Sequence, residues 1–156
     1  MIPECVFIPR ETTEQSCAQE PAQGKRLLEP LKTFSLAQGA PIHILEDTNV
    51  TNEVEVHRHE GDLWICLSGE VEFVVGGSLV EPWAKKLPDG GTDDKELKAN
   101  TIRGGTSHLM QEGDVLWIPA GQPHMHKTAT TARLYIIKIP PQAEVLLADI
   151  PGWSFM

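Results

Sequence analysis

Residues 53–64 read EVEVHRHEGDLW, and the fold turns on which way their side chains point. On a β-strand successive side chains alternate between faces, so Glu53, Glu55, His57 and His59 share one face while Val54, Val56 and Arg58 share the other. A surface strand would send the ionisable face to water. A strand lining a closed structure would turn it inward, where imidazoles two positions apart are close enough to share one ion. Asp62 follows Glu60-Gly61, a tight connection, and can bring a carboxylate back from the next strand. Neutral imidazole with carboxylate suits a divalent ion such as iron, manganese, nickel, cobalt or zinc rather than the thiolate-loving metals.

Around this stretch the chain is a succession of short β-rich runs. They are CVFI at 5–8, PIHIL at 41–45, EVEVH at 53–57, LWICL at 63–67, VEFVV at 71–75, DVLWI at 114–118 and RLYIIKI at 133–139. Gly, Pro and Asp punctuate them, and no long amphipathic helical pattern intervenes, which predicts an all-β sandwich or barrel. Residues 9–32 are polar, with Pro21, Gly24 and Pro30, and read as an arm with at most one helical turn around KRLLE. Residues 76–106 are a long interruption with three Gly-Gly pairs, a surface insertion or a lid, in which DDKELK adds one helical turn.

The bulk numbers bound the function. At 156 residues the chain suits one domain. Thirteen Lys and Arg against twenty-two Asp and Glu give a net charge of −9, which argues against nucleic acid and anionic lipid as partners. Three irregularly spaced cysteines do not form a disulfide framework or a paired thiolate zinc site. No apolar run approaches the roughly 18 residues of a membrane span, and no signal peptide is visible, so a cytoplasmic protein is expected.

A second element, GDVLWIPAGQPH at 113–124, delivers a third imidazole, His124, after a turn fixed by Pro119 and Gly121. With both elements in order, the sequence resembles the cupin family over about residues 34–139. His57 and His59 match the histidines of the first cupin motif, Gly69 its closing glycine, and Asp62 stands at the glutamate position. Gly113, Pro119, Gly121 and His124 match the second motif. Three departures are visible: Asp replaces Glu, only two residues separate it from His59, and Thr128 stands where the second motif usually has Asn.

The resemblance implies a double-stranded β-helix, or jelly roll: a cupin barrel at 34–140 with the insertion at 76–106, an N-terminal arm at 1–33 and a C-terminal extension at 141–156 packed on the barrel. It implies one divalent metal held by His57, His59, His124 and Asp62, with the polar face of EVEVH inward. Val54 and Val56 would then be buried under the N-terminal segment or against a second subunit. It also implies a homodimer, with the VFI run as a strand to add across the interface.

His126 has the parity of His124 and Glu55 that of His57, which makes both candidates for acid–base work in the cavity. Cys66, Trp64 and Trp117 read as core. The expected activity is metal-dependent chemistry on a small organic molecule, dioxygenase-type ahead of isomerase or lyase. The rival from another class is a non-enzymatic module that binds a small ligand or a metal.

Overall fold

Two β-sheets face each other across a closed interior in the computed structural model, which describes residues 4–140 and 144–154. The first third of the chain holds α1 (Arg10–Cys17), β1 (Gly24–Leu27), α2 (Leu31–Gln38), β2 (Ile42–Thr48) and β3 (Val54–His57). The middle holds β4 (Gly61–Ser68), β5 (Val71–Val75), β6 (Ser78–Val80), β7 (Trp83–Lys86), β8 (Thr92–Ala99) and β9 (Thr101–Arg103). The remainder holds β10 (Thr106–Met110), β11 (Val115–Ile118), β12 (His124–Lys127), β13 (Thr131–Ile139) and a 3-10 turn at Leu147–Asp149.

One sheet has the order β1-β2-β13-β4-β11 and the other β10-β5-β12-β3-β8-β7, with β6 and β9 paired separately. All the pairings are antiparallel. This is the jelly-roll architecture the sequence predicts. No helix among the described residues is long and apolar enough to cross a membrane.

Strict alternation builds the interior. Leu45, Trp64, Cys66, Phe73 and Leu134 point between the sheets and are buried together. Each such Leu or Phe contributes about 1.5–3 kcal/mol by leaving water. Cys66 is a small apolar filler there, its thiol pKa pushed up by burial.

The β4–β5 corner is tight. Gly69 sits at φ +76°, and a Cβ there would come within 2.2 Å of the Thr131 carbonyl oxygen. Gly69→Ala is therefore expected to cost more than the roughly 1 kcal/mol of a simple Gly-to-Ala backbone mismatch, read by thermal unfolding. An unchanged melting temperature would contradict the close approach.

The ends of the chain cover the outer faces. Leu28 and Leu31 pack with Ile44 on the back of the first sheet. Glu46, fully buried behind the same sheet, receives hydrogen bonds from Arg26 Nε (2.8 Å), Arg133 Nε (2.8 Å) and the Ala22 amide (3.1 Å). Arg133 also donates to the carbonyls of Cys17 and Gln19, and Arg26 to that of Glu20, so one buried carboxylate fastens the arm. On the second sheet Val54, Val56, Leu97 and Ala99 lie beneath Val145, Leu147, Ile150 and Trp153.

Several expectations are corrected. Val54 and Val56 are covered by the C-terminal segment, not by the N-terminal one. Residues 5–8 form no strand, and Phe7 is exposed. Within the arm, the helix is at 10–17 and KRL belongs to β1, because alternation rather than helical spacing carries its contacts with β2. Residues 76–106 are not irregular: β6 to β9 lie within them. DDKELK is in β8, where pairing with β3 and β7 overrides its helical propensity. Of the expected arm and C-terminal extension, residues 1–3, 141–143 and 155–156 lie outside the described residues.

Candidate metal centre

β3 and β12 run side by side with His124 opposite Glu55, and both strands turn their polar residues into the barrel. The ring centroids of His57 and His124 are 5.2 Å apart. Asp62, one residue into β4 from the facing sheet, places Oδ2 3.6 Å from Nε2 of His57 and 3.6 Å from Nε2 of His124. Glu55 Oε2 lies 3.6 Å from His57 Nε2. Ligand atoms of Glu55, His57 and His124 all fall within 4.8 Å of one another.

The second-motif turn is stapled to the first motif. Gly121, at φ +87°, donates its amide to the His57 carbonyl at 2.8 Å. His124 Nδ1 faces the Gln122 carbonyl at 3.0 Å, so the proton resides there and Nε2 presents a lone pair to the centre.

The polar atoms at this point are unmatched. Nε2 of His57, Nε2 of His124 and Oδ2 of Asp62 are buried without a hydrogen-bond partner. Leaving a buried polar atom unpaired costs about 1–3 kcal/mol, and three that converge fit a shared cation. Burial, with the Lys138 charge nearby, pushes the His57 imidazole down to about 4, and burial also lowers that of His124. Both rings are thus neutral at pH 7, as ligation requires.

Each carboxylate has one oxygen anchored by a lysine and leaves the other toward the imidazoles. Lys138 Nζ holds Asp62 Oδ1 at 2.7 Å, and Lys98 Nζ, opposite Glu55 on β8, holds Glu55 Oε1 at 2.5 Å. Burial alone would raise the Glu55 carboxyl, but the hydrogen bond and charge of Lys98 prevail and hold it at about 2.

His59 stands apart. β3 ends at His57, the chain bends at Arg58, and the His59 ring is half-exposed, 6.4 Å from that of His57. Its Nδ1 is 3.4 Å from the Lys95 carbonyl. The physical reason is Arg58, whose amide bonds the Lys95 carbonyl at 2.8 Å. Its buried guanidinium donates to the carbonyls of Asp94 and Val145. The alternation that would have carried His59 inward stops there.

His126 does face the interior, against Phe73 and Trp64, and its Nε2 lies 2.5 Å from Asp47 Oδ2. Asp47 was not anticipated, although its two-residue spacing from the core residue Leu45 placed it on the inner face. The lysine anchors were equally unanticipated. Trp64 is core as expected, whereas Trp117 is 49% exposed on the outer face of β11.

Beside the cluster lies a cavity of about 160 Å³, lined by Glu55, Asp62, His124, His126 and Lys138, with an apolar wall including Trp64.

No family model matches the sequence, and no curated protein matches it. Solved structures do resemble the fold. The CENP-C protein of Drosophila melanogaster bound to CAL1 is 8% identical, covering 63% of this chain and 60% of its own, at TM-score 0.45. The CENP-C cupin domain from the same organism covers 65% and 58% at 8% identity and TM-score 0.44. This chain thus spans less than two thirds of both. YcfD, a ribosomal oxygenase from Escherichia coli, gives TM-score 0.52 at 13% identity, over 81% of this chain and 34% of that one. The chain has the cupin fold. Between its sheets Glu55, His57 and His124 form a group that could hold a metal, and Asp62 Oδ2 stands 3.6 Å from Nε2 of both imidazoles.

Proposed function

We propose that this cupin-fold protein binds one divalent metal through His57, His124 and Asp62, with Glu55 beside them, and acts on a small organic molecule by dioxygenase-type chemistry. The observation that carries the reading is the convergence of unpartnered buried nitrogen and oxygen atoms at one point. Two imidazoles and one carboxylate are the donor set of non-haem iron oxygenases. When bound, such an ion supplies Lewis acidity and, if iron, redox access to dioxygen. The protein's own part is to keep both imidazoles neutral, to hold one oxygen of each carboxylate with a lysine, and to set the apolar Trp64 wall beside the site. The oxygenase of similar fold is a precedent on a scaffold that carries unrelated chemistries.

The test is metal content by mass spectrometry on protein purified without tag or chelator. Near-stoichiometric iron, followed by oxygen uptake with catechols, thiols or diketones, is the expected result. Zinc, nickel, cobalt or manganese would redirect the reading to an isomerase or lyase. Protein that stays empty after reconstitution with each metal would leave a ligand-binding module instead.

A homodimer goes with this reading. Leu63, Ile65, Val115, Trp117, Ile137 and Ile139 are neighbours in the register of β4, β11 and β13, on the outer face of the first sheet. Val115 is 60% exposed, and the six positions include no charged side chain. Copies carrying −9 each repel elsewhere, which makes this uncharged face the one where a two-fold contact costs least. Light scattering at micromolar concentration is expected to give twice the monomer mass, and Trp117→Glu to halve it. A monomeric wild type would remove the idea.

A further inference from the structure

We infer that the C-terminal segment braces the metal centre: Arg58 and Val145 position the strand and the turn that carry His57 and His124, so that docking of residues 144–153 and metal affinity rise and fall together. This rests on the metal reading above, and it concerns residues that are not themselves ligands.

Arg58 follows a ligand directly and turns away from it. By alternation it belongs with Val54 and Val56, on the face that the C-terminal segment covers. Its side chain is only 8% exposed, and a buried guanidinium needs partners for its fixed fork of donors. Nε donates to the Val145 carbonyl at 3.0 Å and Nη1 to the Asp94 carbonyl at 3.0 Å, while Nη2 stands 3.2 Å from the Glu144 carboxylate. One side chain thus holds β8 and the C-terminal segment to the end of β3.

The backbone repeats the connection. The Val145 amide donates to the Arg58 carbonyl at 3.1 Å, so the two residues share two hydrogen bonds. The peptide joining His57 to Arg58 is pinned on both sides. Its N–H donates to the Lys95 carbonyl and its carbonyl accepts from the Gly121 amide, each at 2.8 Å. Val145 bears on that second partner too. A Cβ built on Gly121 would lie 3.0 Å from Val145 Cγ1, so the valine side chain packs directly on the turn that leads to His124. One residue of the C-terminal segment therefore supports both motifs.

Partners that orient metal ligands are worth about 10–100-fold in metal affinity. If undocking of the segment loosens the centre by such a factor, bound metal makes undocking rarer by the same factor, because the coupling is reciprocal.

The experiment has two arms, both on the full chain. In the first, zinc and cobalt(II) affinities are measured by chelator competition for wild type, Arg58→Met, Glu144→Gln and Gly69→Ala. Arg58→Met keeps the bulk and removes the fork of donors. It is expected to bind both ions about tenfold more weakly or worse, and to shift the visible spectrum of the cobalt form. Glu144→Gln loses only an ion pair whose carboxylate is 47% exposed, and Gly69→Ala loses stability at the far end of β4 from Asp62. Both are expected to bind as wild type does. In the second arm, hydrogen exchange of the Val145, Ile150 and Trp153 amides is followed in wild type with and without zinc. Exchange is expected to slow about tenfold when zinc is bound.

Wild-type affinity in Arg58→Met, or an equal loss in Gly69→Ala, overturns the inference, because Arg58 then only fastens the segment. Exchange that zinc leaves unchanged also overturns it, and this arm decides alone if Arg58→Met does not fold. A wild type that binds neither ion sinks the metal reading and the brace together. Metal binding without coupling sinks the brace alone.

Discussion

Replacing His57 and His124 together by alanine is expected to lower bound metal to less than about one tenth of the wild-type content, while His59→Ala retains it. The size follows from what ligands are worth. Removing a group that merely orients a ligand costs about 10–100-fold in metal affinity, and losing two ligand nitrogens costs more than losing two such partners. The sign on stability is the unusual part. In metal-free protein both Nε2 atoms are buried without partners, so truncating them removes a desolvation penalty while opening a void beside a cavity that already exists. The metal-free double variant is therefore expected to melt within a few degrees of metal-free wild type. Metal analysis and thermal scans read the two halves separately. Metal retained by the double variant, or lost on His59→Ala, would mean that the ion is held elsewhere and would return His59 to the ligand set.

The largest loss of stability is expected at Glu46, which no part of the proposed chemistry uses. Its carboxylate is fully buried and joins β2 to Arg26, to Arg133 and to the Ala22 amide. Breaking a buried ion pair from one side costs about 3–5 kcal/mol, because the partner charges stay behind. Glu46→Ala strands the charge of Arg133, only 12% exposed. At roughly 2–4 °C per kcal/mol for a domain of this size, the melting temperature should fall by about 10 °C. Partial proteolysis should open the segment between α1 and β1 at the same time. A loss below about 1 kcal/mol would mean that the cluster breaks even against its own desolvation.

The pH dependence has a definite sign. Burial raises the Glu46 carboxyl, but the bonds from Arg26, Ala22 and Arg133 outweigh it and hold it below 4.5. Its contribution is thus present above about pH 4.5 and is lost as pH falls through the lower folded value.

How far these features were legible in the sequence depends on the range of the interaction that fixes them. Glu55 and His57 could be put on one inward face by two-residue alternation along β3, a local property of a strand, whereas it was the resemblance to the cupin motifs that brought His124 and Asp62 to them. His59 could not be placed that way. The strand stops when Arg58 finds the carbonyls of Asp94 and Val145, residues 36 and 87 positions away, which no local rule reports. Lys98 and Lys138 face Glu55 and Asp62 only through strand pairing, and register between distant strands is not written in either strand alone. The same applies to Asp47, whose partner on β12 is 79 positions away. DDKELK shows the opposite case, in which a local preference was legible and lost to pairing on both sides.

The clothing of the second sheet also sets a clock. Val54 and Val56 are completed by Ile150 and Trp153, nearly a hundred residues later in the chain. A ribosome adding about 5–20 residues per second leaves that apolar face without its C-terminal cover for roughly 5–20 s. During that interval the incompletely covered strands are exposed to whatever else is sticky nearby. Trimming the last residues would make this condition permanent. Slow synthesis through residues 57–150, or a shortage of holding chaperones, should therefore reduce the yield of this protein more than its finished stability suggests.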